Sequence, residues 1–403
     1  MHVKKCRLPE YNRDVDFDIV IVGGGLAGAS LAASLADSGK RLALIERKAP
    51  RAPLEEWDSR VYTLTPASIA FLEEIGAWRG VPGERVAPIH DMRVFGDEPA
   101  SRLEFSAYAA GLLKLGATVE SGRLHHALWR ELERRRNLAL LCPEAPATLR
   151  RAADHVEIGL DGGRPIRARL LVGADGGDSW VRRAAGMEAR AASYGQLGVV
   201  ANFACARAHR GVAYQWFLPD GVLAFLPLPG ERVSIVWSTS HAHATELLGL
   251  APEALCARVG EASRDALGEL RQITPPAAFP LSRMSVCRIA QERVALVGDS
   301  AHVVHPLAGQ GINLGLGDAH CLADLLVDAR DPGDRMLLRR FERSRAEDIL
   351  ALRWVTDGLF RLFGTNQALV RRARNLGLNL ANSNPVIKTL LTRRATGVGG
   401  GLH

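Results

Sequence analysis

The chain has 403 residues, of which 47% are hydrophobic and 24% are charged. This length and composition predict two or three packed domains and exclude a disordered or fibrous protein, and the 40 glycines and 20 prolines follow no repeat. The formal net charge of +7 equals that of residues 349–403 alone, where eight residues are basic and one is acidic, so the rest of the chain is formally neutral.

The six cysteines lie far apart and form no Cys-x-x-Cys pair. This spacing argues against a zinc site or a disulfide framework and is typical of a reducing compartment. Residues 1–18 contain no apolar signal-peptide core, and no stretch approaches the roughly 18 apolar residues of a membrane span. We therefore expect a cytoplasmic protein with no bound metal.

The first predicted elements form a βαβ unit. Residues 17–22 are an apolar, β-branched run that ends at three consecutive glycines, residues 23–25. A helix-like stretch extends to Ser38, and a second strand-like run covers residues 41–46. This order of strand, glycine turn, helix and strand is typical of a dinucleotide-binding unit.

The rest of the chain predicts a second domain inserted into the first. Helical segments are predicted around residues 66–75 and 124–136. Residues 198–240 read as consecutive strands with turn signals, which predicts an antiparallel sheet. Residues 293–297 return to a buried-strand pattern, and a glycine-rich turn and a helix follow at residues 298–326. The dinucleotide-binding domain is thus predicted to be discontinuous.

The spacing Gly23-x-Gly25-x-x-Gly28 predicts a pyrophosphate-binding turn. The first glycine allows a tight turn, the second lets the backbone approach the phosphates, and the third lets the helix pack close to the strand. The amides at the helix N-terminus then point at the anion. Glu46, at the end of the second strand, is placed to accept hydrogen bonds from an adenosine ribose. These residues predict a dinucleotide without saying which one.

Two further glycine-bearing motifs follow predicted strands. The first, GADGGDSWVR, covers residues 173–182, and the second, GDSAHVVHPLAGQGINLG, covers residues 298–315. With the first turn they resemble the three fingerprints of the class A flavin monooxygenases, the para-hydroxybenzoate hydroxylase-like group. The segment HPLAGQGINLGL is similar to the more specific signature of the ubiquinone-biosynthesis hydroxylases, the UbiH/UbiF/COQ6 family.

The resemblance covers most of the chain from about residue 16 onward, and it implies an α/β fold. That fold is a Rossmann-like FAD-binding domain of the glutathione-reductase type, with an inserted antiparallel β-sheet substrate domain and a C-terminal helical tail. The expected boundaries are residues 15–80, 110–184 and 286–330 for the FAD-binding domain, 81–109 and 185–285 for the substrate-binding domain, and 331–403 for the helical segment. One departure is Gly317, where the family commonly has arginine, which leaves the local salt bridge or substrate-side arrangement open.

The resemblance implies FAD as the cofactor and NAD(P)H as a co-substrate. The residues expected to bind FAD are Gly23, Gly25, Gly28, Glu46, Arg47, Arg60, Asp175, Asp299, Gly311, Ile312 and Asn313. The residues expected to position the flavin ring are His305, Pro306, Gly309, Gln310 and Gly311. For Asp175 a capped turn stays open as an alternative, and for Arg60 a solvated surface position does.

No catalytic side chain is assigned from the sequence. His302 and His305 form a pair with too few converging ligands for a metal site, so a structural or ring-positioning role is favoured over acid–base catalysis. Tyr214, Trp216 and Phe225 are expected to cover an aromatic substrate on the sheet. The alternative is that these three are core residues, which is the commoner role of aromatic residues in strands.

The basic tail has the pattern of an amphipathic helix. Apolar residues cluster on one arc of a helical projection, and arginines lie on the opposite arc; the apolar residues are Leu352, Val355, Leu359, Leu362, Phe363, Leu369 and Val370, and the arginines are Arg353, Arg361, Arg371, Arg372 and Arg374. Two interpretations stay open: contact with an anionic membrane surface, or a helix docked on the FAD-binding domain with its arginines in water.

The function implied by the resemblance is hydroxylation of a polyprenyl phenol or quinol ring in ubiquinone biosynthesis, through a flavin C4a-hydroperoxide formed from O2. The expected partners are this substrate, a membrane surface at the inner face and other ubiquinone-biosynthesis proteins, and no nucleic acid is expected. The alternatives are a flavin hydroxylase of a soluble aromatic compound, an isoprenoid reductase of similar architecture, and a flavin-bearing scaffold in a biosynthetic complex.

Overall fold

The computed structural model describes residues 15–96, 98, 101–161, 163–305 and 310–363, and the single positions 382, 384, 388, 389, 392 and 396. The strands in these residues are β1 (Phe17–Val22), β2 (Leu42–Ile45), β3 (Val61–Leu64), β4 (Val86–Ile89), β5 (Asp91–Phe95), β6 (Arg102–Ser106), β7 (Gly116–Glu120), β8 (Leu138–Leu141), β9 (Pro146–Arg151), β10 (Val156–Leu160), β11 (Ile166–Gly173), β12 (Ala189–Cys205), β13 (Val212–Leu218), β14 (Gly221–Leu228), β15 (Arg232–Ser240), β16 (Leu270–Gln272), β17 (Ala277–Val286), β18 (Ala290–Gln291), β19 (Val294–Leu296) and β20 (His302–Val303). The α-helices are α1 (Leu26–Leu35), α2 (Pro66–Glu74), α3 (Ser121–Glu133), α4 (Trp180–Ala184), α5 (His241–Gly249), α6 (Pro252–Ala262), α7 (Gly311–Val327) and α8 (Arg335–Phe363).

The first sheet brings the three motif turns to one edge. Its path is β18-β19-β11-β1-β2-β8, and β19, β11, β1, β2 and β8 run parallel. Val22 at the end of β1 pairs with Gly173 at the end of β11, and Gly173 pairs with Leu296 at the end of β19. Because these strands are parallel and end level with one another, the turn after each leaves the sheet at the same edge.

The helices α1 and α7 pack against each other beside this edge. A Cβ built on Gly298 would lie 3.1 Å from Ala27 Cβ, and one built on Gly315 would lie 3.1 Å from Gly298 Cα. Small residues at these three positions let the turn after β19 approach both helices. α1 is apolar and almost wholly buried because it lies between the sheet and its neighbouring helices.

The second sheet is antiparallel for most of its width, with the path β20-β17-β12-β15-β14-β13-β5-β6. One of its faces packs on α5 and α6 to form a separate apolar core, in which Phe203, Trp216, Phe225 and Trp237 are buried. The other face turns toward the FAD-binding domain, since Asn202 Nδ2 donates to Asp58 O at 2.9 Å. A small third sheet, β3-β7-β4, joins the two, and Thr118 Oγ1 donates to Pro227 O across that boundary.

The two large sheets share the segment after β19. β20 lies within residues 286–330, the range expected for the FAD-binding domain, yet it pairs with β17 of the antiparallel sheet. The helix α8 then returns to the first domain, where Phe341 is fully buried and Glu342 Oε1 accepts the Ile289 N–H at 3.1 Å.

The basic tail lies largely outside the described residues. α8 extends as one helix to Phe363 and passes through Gly358 without a break. Arg371, Arg372 and Arg374 are outside the described positions. Asn382, one of the few described positions beyond α8, accepts the Glu104 N–H on β6 at 3.1 Å, which places that residue against the antiparallel sheet. Among the described residues, every helix is too short or too polar to cross a bilayer.

Candidate active site

The three glycine-bearing turns meet in space and are bonded to one another. Ala174 N–H donates to Val22 O at 2.7 Å, which joins the second turn to the first. Ser300 Oγ donates to Gly173 O at 2.6 Å, which joins the third turn to the second. Arg182 reinforces this junction, because its guanidinium donates to both Gly177 O and Ser300 O at 2.8 and 2.9 Å.

The first turn has the shape of a phosphate cradle. Gly23 has φ +105°, and a Cβ there would lie 2.3 Å from Ala174 O. A Cβ on Gly28 would lie 2.0 Å from Gly23 O, so backbone fills the space that a side chain would need. A Cβ on Gly25, in contrast, would meet no atom within 4 Å, and no side chain caps the start of α1 at this residue. The helix N-terminus therefore opens onto free space that fits a pyrophosphate.

Glu46 lies beside this cradle at the end of β2. Its Oε2 accepts the Gly24 N–H at 2.6 Å and its Oε1 accepts the Lys48 N–H at 3.0 Å. The carboxylate is only partly buried, so its remaining acceptor capacity is available to ribose hydroxyls. Arg47 is exposed directly after Glu46.

Two residues of α3 hold the same turn from behind. His125 Nε2 lies 2.7 Å from Gly24 O, and Trp129 Nε1 donates to that oxygen at 2.9 Å. The sequence predicted a helix here but gave these residues no role. Such a role is hard to predict from the sequence, because an aromatic residue and a histidine one turn apart on a helix are more often part of its buried face.

Asp175 caps a helix in the second turn. Its carboxylate accepts Ser179 Oγ–H at 2.5 Å and Val181 N–H at 3.0 Å at the start of α4. This is the capped-turn alternative that the sequence left open, and it also fixes Arg182 where that residue bridges the turns. Arg182 stands inside the second motif, but the spacing alone did not show that its guanidinium would be buried.

A fully buried carboxylate, Asp318 on α7, anchors the third turn. Its Oδ2 accepts the Gly298 N–H at 2.9 Å and lies 2.6 Å from His302 Nε2. Its Oδ1 accepts Nε–H of Arg345 on α8 at 2.8 Å. Burial alone would raise the pKa of Asp318, but His302 and Arg345 outweigh burial, so the pKa of this carboxyl is lowered. Asp318 is therefore a charged group with three donors.

Gly317 makes room for the guanidinium of Arg345. A Cβ at residue 317 would lie 3.0 Å from Arg345 Nη2 and 3.4 Å from Cζ. The ion pair that the sequence left open at Gly317 is thus made by Arg345, an arginine 27 residues beyond its partner Asp318. Arg345 also pairs with Asp348, so α8 contributes a charge network directly behind the third turn.

Asp299 directly follows the anchored Gly298. Its side chain reaches solvent, yet surrounding protein crowds it enough for burial to raise the pKa of its carboxyl, against the opposing influence of His302 and Arg60. Arg60 is itself exposed, 5.4 Å from the centre of the Tyr62 ring. Asp299 and Arg60 thus lie close enough for the arginine to influence the carboxyl group beside the third turn.

The remaining predicted residues of the third motif lie around the start of α7. Asn313 is buried, and its side chain bonds the backbone of residues 63 and 65, with Oδ1 accepting Thr65 N–H and Nδ2 donating to Thr63 O, both at 2.9 Å. Gly311 and Ile312 are partly exposed at the helix start, as is Gln310 before it. His305 is buried with its ring edge-on to Tyr194 at 4.5 Å. Pro306 and Gly309 lie outside the described residues.

The predicted substrate aromatics lie on the far face of the antiparallel sheet. Tyr214 pairs with Phe225 across β13 and β14, and Trp216 packs on both rings at centroid distances of 5.5 and 4.9 Å. All three are at most 9% exposed and belong to the core that α5 and α6 cover. Their placement matches the core alternative stated above.

The opposite face of the same strands carries a partly open apolar surface. Leu226 shares a row with Asn202, which fixes this face toward the FAD-binding domain, and Ala224 and Val236 form the next row. All three apolar side chains are only partly buried. Phe279 is 39% exposed on this face and lies over Gly198, where a Cβ would be 2.9 Å from its ring. We define these four apolar residues, Ala224, Leu226, Val236 and Phe279, as the inner patch.

Comparison with known proteins agrees with this architecture. A family model described as FAD binding domain matches residues 16–352. Ubiquinone hydroxylase UbiL of Rhodospirillum rubrum is 39% identical, over 94% of this chain and 89% of the relative. The 3-demethoxyubiquinol 3-hydroxylase of Escherichia coli is 36% identical, over 94% and 98%. The crystal structure of PqsL from Pseudomonas aeruginosa has a TM-score of 0.75 at 25% identity, over 90% of this chain and 99% of that one.

The fold and the converged turns define an FAD-dependent monooxygenase, built from an FAD-binding domain and an antiparallel sheet. Within that class, the chain belongs to the family of ubiquinone-biosynthesis hydroxylases that the sequence motifs resembled, the UbiH/UbiF/COQ6 family. The predicted fold class, family and FAD cofactor are thereby confirmed. The roles of the individual site residues stay predictions, and the structure gives the positions of those that it describes.

Two glycine variants distinguish a glycine that leaves room for the cofactor from one that leaves room for neighbouring backbone. Gly25→Ala should leave the apoprotein as stable as the wild type, because the new methyl group meets no atom within 4 Å. It should weaken FAD binding about tenfold, since the methyl group enters the pyrophosphate cradle. Gly28→Ala is the contrast, because its Cβ collides with backbone and should destabilise the protein itself. Thermal unfolding of the apoprotein and fluorescence titration with FAD measure both effects, and wild-type affinity in Gly25→Ala would contradict the cradle.

Removing Arg345 should loosen the third turn. Arg345→Met leaves the buried Asp318 short of a cationic partner and should lower the free energy of unfolding by about 3 kcal/mol at pH 7. Because the pKa of Asp318 is lowered, the pair contributes fully at neutral pH and is lost only as the pH falls below about 4. The matched control is Arg343→Met, an exposed position on the same helix. Urea unfolding tests this, and equal losses in both variants would refute the anchor.

Proposed function

We propose that the chain hydroxylates an electron-rich phenol or quinol ring that carries a polyprenyl chain, with NAD(P)H as the electron donor, as a step of ubiquinone biosynthesis. The observation that carries the proposal is the inner patch, an apolar and partly open surface on the side of the substrate sheet that faces the FAD-binding domain. The names of the two bacterial relatives point to the same pathway.

When bound, reduced FAD supplies one oxygen atom of O2 to the substrate ring. The protein's part begins with the first turn, where the free amides of α1 and the open space at Gly25 would hold the pyrophosphate. Glu46 would accept hydrogen bonds from the adenosine ribose. Asp299, held in place through Gly298 and Asp318, would accept hydrogen bonds from hydroxyl groups of the cofactor.

The start of α7 supplies positive potential where the third motif ends. Oriented N–H groups at a helix N-terminus stabilise negative charge, and the flavin ring becomes more negative when it is reduced. Gly311 and Ile312 carry the first of these amides. His305 is buried against Tyr194, so its proposed role is to hold the shape of the segment that leads to the helix.

The inner patch would seat the aromatic ring and keep water out. Ala224, Leu226 and Val236 offer only hydrocarbon, and Phe279 adds an aromatic face. An apolar enclosure of this kind protects a reactive oxygen species from water and favours a greasy substrate.

We also propose membrane-surface contact as the route by which such a substrate is reached. The described end of α8 exposes Leu350 at 51% and Trp354 at 78%, beside Arg353. Tryptophan, an aliphatic residue and arginine on one exposed helical segment are typical of contact with a lipid interface.

The source of the oxygen tests the reaction class. Turnover of a short-chain prenyl phenol under ¹⁸O2, with purified yellow protein and NADPH, should yield a product whose new hydroxyl group carries the label. Label that arrives from water instead would exclude a monooxygenase reaction. The same assay with para-hydroxybenzoate tests the soluble-substrate alternative, which predicts faster turnover of the unprenylated compound.

The inner patch can be tested against the far-face aromatics. Ala224→Leu narrows the inner patch and should lower kcat/KM for a prenyl phenol about tenfold, with FAD binding unchanged. Trp216→Ala should instead lower the free energy of unfolding by about 3 kcal/mol, because the residue is 2% exposed in a core. Steady-state kinetics and urea unfolding on both variants measure the contrast. A kinetic defect in Trp216→Ala without loss of stability would return that residue to the substrate site.

A further inference from the structure

A groove on the FAD-binding domain, lined by residues outside the three glycine turns, contains four arginines. It lies between the short β18–β19 hairpin and the first turns of α8 and has a volume of about 250 Å³. Its charged residues are Arg151, Arg288, Arg335, Arg339, Glu292 and Glu342. We call it the arginine groove.

The guanidinium groups of this groove have no anionic partner. Within the residues that the structure describes, no carboxylate oxygen lies within 4 Å of Arg288, Arg335 or Arg339, and Arg151 donates to the neutral amide of Gln291 at 2.7 Å. Glu342 also lines the groove, and its Oε1 accepts the Ile289 N–H. The groove thus gathers four positive charges and two negative ones.

Nearby arginines outside the groove are paired with acids. Arg293, between β18 and β19, makes two bonds of 2.6 and 2.8 Å with the Asp331 carboxylate. Arg345, on the same helix as Arg335, is paired with Asp318. The chain therefore pairs Arg293 and Arg345 with acids, whereas within the described residues neither Glu292 nor Glu342 forms an ion pair with an arginine of the groove.

Gathering these charges costs free energy in the absence of a ligand. Arg335 and Arg339 are one helical turn apart on α8, a spacing at which like charges repel. Arg151 and Arg288 come from two other segments, so their approach is a result of the tertiary fold. The N-terminal end of α8 adds partial positive charge at the same place. An anion bound in the groove would offset the repulsion between the arginines and the partial positive charge of the helix end.

We propose that the arginine groove binds a phosphate group. Planar guanidinium groups bind carboxylate and phosphate oxygens in pairs, and a phosphate, with more oxygens and more negative charge, can meet several of the four guanidinium groups at once. The volume is below the roughly 300–1,000 Å³ of pockets that enclose whole small molecules, so the groove fits a phosphate head and leaves the rest of the ligand outside. The head belongs either to an anionic phospholipid or to a soluble phosphate compound. The proposal is independent of the hydroxylation reaction.

Calorimetric titration of the FAD-loaded full chain with inorganic diphosphate tests the site. Arg335→Gln with Arg339→Gln should weaken binding about tenfold, since each removes a charge-assisted contact. The matched control is Arg340→Gln with Arg343→Gln, which removes the same charge from exposed positions of the same helix. Control binding should equal that of the wild type. Undetectable diphosphate binding to the wild type, or equal weakening in both double variants, would overturn the proposal.

Flotation with vesicles identifies the source of the phosphate. Vesicles of phosphatidylcholine and phosphatidylglycerol are compared with phosphatidylcholine alone, at fixed ionic strength because surface electrostatics depend on salt. Loss of binding to the anionic vesicles in the Arg335/Arg339 variant only, with competition by diphosphate in the wild type, supports a lipid headgroup. Diphosphate binding that needs Arg335 and Arg339, with vesicle binding equal in all three proteins, supports a soluble phosphate compound. Unaltered circular dichroism and FAD content in both variants confirm that folding is intact.

Discussion

The parallel, level arrangement of β1, β11 and β19 is the constraint on which the site depends. Val22, Gly173 and Leu296 lie side by side, so three segments far apart in sequence release their turns at one edge. Side-chain bonds then lock the turns together, with Ser300 bonded to Gly173 and Arg182 bonded to both sides. Shifting one strand by a single residue would turn its side chains to the opposite face and separate these partners.

The sequence predicted the glycine turns themselves, but it did not predict the side chains that hold them in place. The spacing of Gly23, Gly25 and Gly28 carries its own steric meaning, and the structure gives each a position consistent with it. Arg345 and Asp318 lie 27 residues apart on different helices, so no spacing rule connects them. The aromatics of the antiparallel sheet show a further limit. Tyr214 and Trp216 are two residues apart in one strand and so share a face, but only the docking of α5 and α6 decides which face that is.

The fold handles buried charge by pairing it with backbone groups as much as with opposite charges. Asp318 serves a backbone amide, an imidazole and a guanidinium at once, and Arg182 donates only to carbonyl oxygens. Such groups are costly to bury singly but stabilise one geometry when every donor and acceptor is used. Gly298 and Ser300, which have no charge, are bonded directly to these ionised side chains.

The segment from β19 to β20 belongs to both large sheets. Leu296 lies in the parallel sheet and His302 pairs with Ser285 in the antiparallel one, with Asp299 between them. A backbone connection this short cannot extend much. A rotation of one sheet relative to the other would therefore displace Asp299 and its neighbours first. The parallel and the antiparallel sheet are thereby joined through six consecutive residues, 297–302.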